Sequence, residues 1–221
     1  MPRLTFLHTA QSNARLFGAL ILKLAPQLQG AEEPAHLVND ALLARAIAEG
    51  GVSDTLKSDL ADTVGDAFSA GTDLVVCTCS TLGQAAEEVG EHLGKPVMRI
   101  DRPMAEEAVR IGGKILVAAS VATTVKPTTQ LLEQIAAEQG ETVDLSVLLM
   151  PDAWALFDAG QKDAYERAIA EELRTVAADY SAIVLAQASM AGAERYGQDI
   201  ATPVLSSPEL GVKRALNWLA Q

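Results

Sequence analysis

Basic residues are scarce in this chain. There are 17 Lys and Arg against 29 Asp and Glu, a formal charge of −12 over 221 residues. Nucleic acid and anionic lipid are both recognised through clustered Lys and Arg, and the basic residues here are scattered, so neither is an expected partner. Long apolar runs are also missing. The best, Ile115–Val121 and Ile183–Ala186, fall far short of the ~18–20 residues that cross a bilayer. The start, Met1-Pro2-Arg3-Leu4, leads into an apolar stretch broken by His8, Gln11 and Asn13, which does not read as a signal peptide. A cytoplasmic protein is therefore expected.

Cysteine is rarer still. Cys77 and Cys79 are one residue apart, too close for an ordinary disulfide and too few for a cysteine-rich metal site. The three histidines, His8, His36 and His92, show no ligand spacing, so no metal is expected. Neither a G-x-x-x-x-G-K-[ST] phosphate loop nor a G-x-G-x-x-G after the first strand is present. Aromatic residues make up 4% of the chain, and Trp154 and Tyr196 form no stripe beyond core packing.

What the chain does contain is a regular alternation. Short Val/Ile/Leu runs predict strands at Leu4–Leu7, Ala35–Val38, Leu74–Cys77, Val97–Ile100, Ile115–Ala118, Val143–Leu149, Ile183–Leu185 and Val204–Leu205. Helical periodicity predicts Asn13–Leu28, Ala41–Ala48, Leu56–Ala70, Gly83–Leu93, Met104–Ile111, Thr128–Gln139, Ala164–Asp179 and Pro208–Leu219. That is an α/β pattern with parallel sheet and crossover helices.

Laid over itself, the chain repeats. Asp73-Leu-Val-Val-Cys-Thr-Cys-Ser-Thr-Leu-Gly answers Ser181-Ala-Ile-Val-Leu-Ala-Gln-Ala-Ser-Met-Ala, an offset of 108 (181 − 73). Each is followed by a helix and a proline-led strand, Pro96-Val97 and Pro203-Val204. Leu4–Leu7 with His8-Thr9 answers Ile115–Ala118 with Ala119-Ser120, and Asn39-Asp40-Ala41 answers Pro151-Asp152-Ala153. The expected architecture is two pseudo-symmetric parallel-sheet lobes, residues 1–100 plus 205–221 and residues 101–204. Because ligands in open α/β sheets bind outside the carboxyl ends of the strands, a cleft between the lobes is the expected active site.

Four polar strand ends then carry the chemistry. Cys79-Ser80-Thr81 opens a helix, a position that favours an anion and should lower a thiol pKa, making Cys79 a nucleophile or general base unless it simply packs. Cys77, still inside the strand, reads as packing. The repeat equates Cys79 with Gln187, in Gln187-Ala188-Ser189, and Thr81 with Ser189. An amide hydrogen-bonds but takes no proton at neutral pH. Ser120, Thr123 and Thr124 form a hydroxyl-bearing turn suited either to holding a carboxylate or to ordinary helix capping. His8 and Thr9, with Asn13 beyond, complete the set, with His8 either a packed residue or a titratable one.

These segments, Leu74-Val-Val-Cys-Thr-Cys-Ser-Thr-Leu-Gly and Ile183-Val-Leu-Ala-Gln-Ala-Ser-Met-Ala, resemble the two active-site segments of the aspartate/glutamate/hydantoin racemase superfamily, which also contains arylmalonate decarboxylase and maleate isomerase. The resemblance covers nearly the whole chain. It implies cofactor-independent proton transfer at a carbon next to a carboxylate, with one cysteine from each lobe on opposite faces of that carbon. It places Cys79 as the first-lobe cysteine, Ser80 and Thr81 as substrate binders, and Ser120 and Thr124 near the turn that holds a substrate carboxylate. Gln187 stands where the second cysteine belongs, so a second base would have to come from His8, Asp40 or Asp152. The expected function is a racemase or isomerase acting on a small carboxylate. The alternatives are a single-cysteine decarboxylase, lyase or hydrolase, or a non-catalytic small-acid-binding protein; a homodimer is compatible with the sequence.

Overall fold

The structure, a computed structural model, describes residues 3–28 and 33–220; the Met1-Pro2 start lies outside them. Its chain divides into two compact units, Met1–Asp101 with Pro208–Gln221, and Arg102–Ser207.

In the first unit, uninterrupted apolar runs become central strands. β1 (Leu4–His8) is buried at all five positions. It is followed by α1 (Gln11–Leu24), the edge strand β2 (Ala35–Val38), α2 (Asp40–Ala48) and α3 (Asp54–Ser69). Next come β3 (Leu74–Cys77), buried throughout, α4 (Ser80–Leu93) and β4 (Val97–Arg99). All pairings are parallel, in the order β2-β1-β3-β4. A parallel strand covered by helices on both faces needs apolar side chains pointing both ways, which is why Leu74-Val-Val-Cys77 carries no polar alternation. The helices lay Leu56, Leu60, Val64, Leu82, Ala86 and Val89 against Leu7, Val75 and Cys77. Fully burying one such leucine or valine contributes roughly 1.5–3 kcal/mol.

The second unit repeats this plan. α5 (Arg102–Ile111) leads into β5 (Lys114–Ala119), α6 (Val125–Gln139), the edge strand β6 (Asp144–Leu149), α7 (Pro151–Asp158), α8 (Lys162–Val176), β7 (Ala182–Leu185) and β8 (Val204–Ser206). Its sheet is again parallel, ordered β6-β5-β7-β8. The matching orders give the internal repeat a structural basis. A last helix, α9 (Ser207–Leu219), lies almost wholly in the first unit, where Gly211 comes so close to β4's exit that a Cβ there would sit 2.4 Å from the Ile100 carbonyl oxygen.

Beyond helix ends that shift by two or three residues, the structure differs from the sequence reading in four places. Leu205 and Ser206 pair with β7 through β8, so residues 205–207 lie with the second unit rather than the first, while Asp101 lies with the first. Pro151–Asp158, with proline in its first turn, forms an unpredicted helix. The helix expected after β7 is a 3-10 segment, Ala188–Arg195. Finally, α1 stops at Leu24, four residues before the expected Leu28. Among the described residues no helix is long and apolar enough to cross a membrane.

Candidate functional site

In the first unit, the chain leaves β3 at Cys77 and enters α4 at Ser80, so Cys79 is the helix N-cap, in an extended conformation (φ −105°, ψ 113°). Cys79, Ser80 and Thr81 are all buried. The Thr9 hydroxyl, just beyond β1, and the Thr81 N–H lie near enough to the Cys79 sulfur to favour its charged form, while the Leu82 N–H, also near it, donates to the Cys79 carbonyl oxygen at 3.1 Å. The Thr81 hydroxyl is buried without a fully formed hydrogen bond yet lies near enough to that sulfur to favour its charged form. Cys79 and Ala10, the N-cap of α1, provide no side-chain cap to their helices.

Burial nevertheless pushes the Cys79 thiol above its ordinary range, and the surrounding donors only partly offset this. That corrects the expectation of a lowered pKa: the helix N-terminus and the donors are present, but loss of hydration outweighs them. Ligand-free Cys79 therefore holds its proton at neutral pH. Cys77 is also pushed up by burial and donates its S–H toward the Cys79 carbonyl oxygen at 3.7 Å; it packs among Leu7, Val75 and Leu82.

Beneath the turn, Arg99 forms a two-pronged ion pair with Asp101, 2.6 Å and 3.0 Å, with both side chains buried. Gly83, in α4's first turn, lies directly on it, for a Cβ there would be 2.9 Å from Arg99 Nε. A paired guanidinium is thereby packed under the helix that presents Cys79.

His8 is not presented at the strand end. Thr78 Oγ1 donates to the Leu7 carbonyl (3.1 Å), so it accepts from His8 Nδ1–H (2.8 Å). That leaves His8 Nε2 to accept from His36 Nδ1–H, also at 2.8 Å. The ring lies against Phe6, Phe17 and His36. Burial, with His36 adding to it, lowers the His8 pKa to about 3. As a second base His8 is thus corrected to a neutral, doubly bonded core residue. Asn13 is half-buried on α1. The other proposed bases, Asp40 and Asp152, are exposed in the first turns of α2 and α7.

The second unit places Gln187 at the end of β7, the position equivalent to Cys79. Its Oε1 accepts from Ser120 N–H (2.7 Å), Val121 N–H (3.0 Å) and the Ser120 hydroxyl (3.1 Å). Because Ser120 donates to Gln187, it accepts from the Tyr165 hydroxyl (3.0 Å), which in turn accepts from Ser189 (3.2 Å). The direction of the chain is Ser189 to Tyr165 to Ser120 to Gln187. Burial pushes the Tyr165 hydroxyl up, so it keeps its proton. The Ser120 turn was expected to offer its donors to a ligand; here they are taken by Gln187. Thr124 donates to the Val121 carbonyl (2.7 Å), an ordinary turn-closing bond, and Thr123 Oγ1 is buried without a partner. Ala188 contributes backbone only and is buried.

The structure therefore gathers Thr9, Cys79, Ser80 and Thr81 at one set of strand ends, and Ser120, Gln187 and Ser189 at another. Two residues of these networks escaped sequence reading. Thr78 lies inside the recognised segment but had no evident role. Tyr165 sits mid-helix with no local signal. A separate cavity of about 920 Å³ opens at the amino ends of β1 and β2, lined by Arg3, Thr5, His36, Asp66 and Thr72, toward the opposite end of the strands from Cys79.

Solved structures share this fold. An aspartate racemase homologue from Pyrococcus horikoshii superposes with a TM-score of 0.70 at 15% identity, covering 100% of both chains. Glutamate racemase isoform RacE1 from Bacillus anthracis gives 0.71 at 16% identity, covering 99% of this chain and 82% of that one. Allantoin racemase from Klebsiella pneumoniae gives 0.63 at 18%, covering 100% and 88%. At such identities the likeness establishes the fold alone. No curated protein matches the chain in sequence. The profile of Asp/Glu/hydantoin racemases, however, matches residues 9–215, nearly the whole chain including both Cys79 and Gln187, and the chain belongs to that family.

Proposed function

We propose that this protein is a cofactor-independent enzyme of racemase or isomerase type, acting at the carbon next to a carboxylate of a small amino acid or related acid, with Cys79 as its acid–base or nucleophilic group. The observation that carries the reading is Cys79 as the buried N-cap of α4, with Thr9 and Thr81 close to its sulfur. Removing a proton beside a carboxylate produces an enediolate, and the backbone N–H groups at a helix start are fixed dipoles that suit such charge.

A second reading is favoured by Gln187. Its amide cannot take a proton, and the hydroxyls behind it, on Ser120, Tyr165 and Ser189, hold theirs at neutral pH. Held protonated by burial, Cys79 is well suited to deliver a proton to a single face of a carbanion, the demand made by a decarboxylase or lyase.

The two readings are separated by one screen. Amino acids, hydantoins and substituted malonates are incubated in heavy water and followed for α-deuterium incorporation, for loss of optical rotation and for release of carbon dioxide. Deuterium in recovered substrate with racemisation supports the first reading; a single-handed product with carbon dioxide release supports the second. A Cys79→Ser variant that kept full turnover would remove the cysteine mechanism in both forms.

A further inference from the structure

We infer that the open edge of the second unit's sheet, β6 with the adjacent side of α6, is where a second copy of this chain docks, its β6 antiparallel to the first about a two-fold axis beside Val147. On one face of the sheet α6 lies over β5, and α5 beside it lies over β7 and β8. That leaves β6 bare on this face: Val147 and Leu149 are 49% and 42% exposed, with Leu145 half-buried next to them. By alternation these three share the face of Ile115, Val117 and Ala119 in β5, whereas Leu148 turns the other way, toward Leu116, Ala118 and Ile169. In the first unit the matching face of β2 is covered, for His36 and Val38 are half-buried under α1. Exposed sheet edges are commonly guarded by a lysine, a proline or a bulge, and Leu145-Ser-Val-Leu-Leu149 carries no such residue.

Charge identifies the occupant as a second copy. Lys126 and Glu133 are exposed on α6, two turns apart on one stripe, and among the described residues neither takes part in an ion pair. A partner of one charge would leave one of them unmatched. In a two-fold contact, residue i of one copy meets j of the other while j meets i. Helix α6 opens just past the carboxyl end of β5 and runs back along it. The midpoint of Lys126 and Glu133 then lies about 5 Å below Lys126, at ~1.5 Å per helical residue. Val147 lies about 7 Å below Leu149, at ~3.3 Å per strand residue. The axis beside Val147 therefore bisects the charged stretch as well, and sets each Lys126 opposite Glu133 of the second copy. The two α6 helices stand about 14 Å apart, three strand spacings, a gap that lysine and glutamate side chains bridge above the paired Val147 and Leu149. Asp144, three residues before Val147, falls opposite Met150 of the second copy, three residues after it, so no two carboxylates of β6 meet. This surface belongs to the second unit alone and is independent of the reaction assigned to Cys79.

The test is sedimentation equilibrium of the full chain from about 1 to 300 µM, the range in which small two-fold contacts associate. The wild type should pass from monomer to dimer as concentration rises. Val147→Lys, which places a guarding charge on the edge, should weaken the dimer by about tenfold or more. Lys126→Glu and Glu133→Lys should each weaken it by about tenfold, since each sets two pairs of like charges across the axis. The double variant, with both charges exchanged and the same net charge as the wild type, should recover wild-type affinity. A monomer at every concentration overturns the inference. So does a dimer that Val147→Lys leaves unchanged, or a double variant no tighter than the single ones. Should Val147→Lys fail to fold, the exposed charge variants decide by themselves.

Discussion

Acid should unfold this protein through His8 before it does so through the carboxylates. The ring has a pKa of about 3 in the folded chain against 6.5 as the ordinary value, because burial and the neighbouring His36 both oppose its charge. Below pH 6.5 the unfolded chain gains a proton at His8 that the folded chain refuses until about pH 3. Stability is therefore fully present above the ordinary pKa and is lost as pH falls toward the folded one, at up to about 1.4 kcal/mol per pH unit. Between about pH 6.5 and 5 that amounts to roughly 2 kcal/mol, a substantial part of a typical 5–15 kcal/mol. His36, also held below its ordinary range chiefly by burial, adds in the same direction. Carboxylates such as Glu88, whose pKa is lowered mainly by its bond from Lys57, enter only at lower pH. Urea unfolding followed by circular dichroism across this range should show the slope in the wild type. His8→Phe keeps a ring beside Phe6 and Phe17 but cannot titrate, and should lose about one proton's worth of that slope. A flat wild-type profile from pH 7 to 5, or a His8 imidazole titrating near 6.5 by NMR, would refute the reasoning.

Three further outcomes can be checked. Iodoacetamide should modify Cys79 slowly at neutral pH, with a rate still rising at pH 9, since only the thiolate reacts and burial holds the thiol above its ordinary range; a plateau by pH 7 would mean that the donors outweigh burial. Gly83→Ala should cost about 1–3 kcal/mol in denaturant melts despite alanine's better helix propensity, because the new methyl meets the buried Arg99 guanidinium at 2.9 Å. A stability equal to the wild type would show that the Arg99–Asp101 pair moves freely. Tyr165→Phe should cost about 1–2 kcal/mol by leaving Ser120 and Ser189 short of a partner, while Tyr196→Phe, which loses only an exposed bond to Asp163, should cost less than about 0.5 kcal/mol.

How much of this was legible in the chain depends on whether an element is specified locally. β3 and β5 are runs of apolar residues bounded by polar ones, a pattern that only a doubly covered strand requires, and their ends were readable to within a residue. α7 was not, because Pro151-Asp-Ala-Trp-Ala-Leu-Phe-Asp158 is barely two turns long, and its apolar residues serve the core around Tyr165 and Met150. The 3-10 segment after β7 was taken for a helix by analogy with α4; there Gly192 lies on the buried Glu166 carboxylate, a contact with a residue 26 positions earlier (192 − 166). The site divides along the same line. That Cys79 and Gln187 occupy equivalent strand ends could be read from the repeat, because position along a βα unit is local. The state of the groups there could not. His8 is neutral because the packed core strips its hydration and β2 brings His36 beside it, Cys79 keeps its proton because burial excludes water from it, and the Ser120 turn is closed because a side chain 67 residues later reaches its N–H groups. Sequence thus names the residues at a site, whereas protonation and occupancy depend on non-local neighbours. For this chain that difference separates a pair of like acids and bases from one protonated thiol and one amide bonded into its own turn.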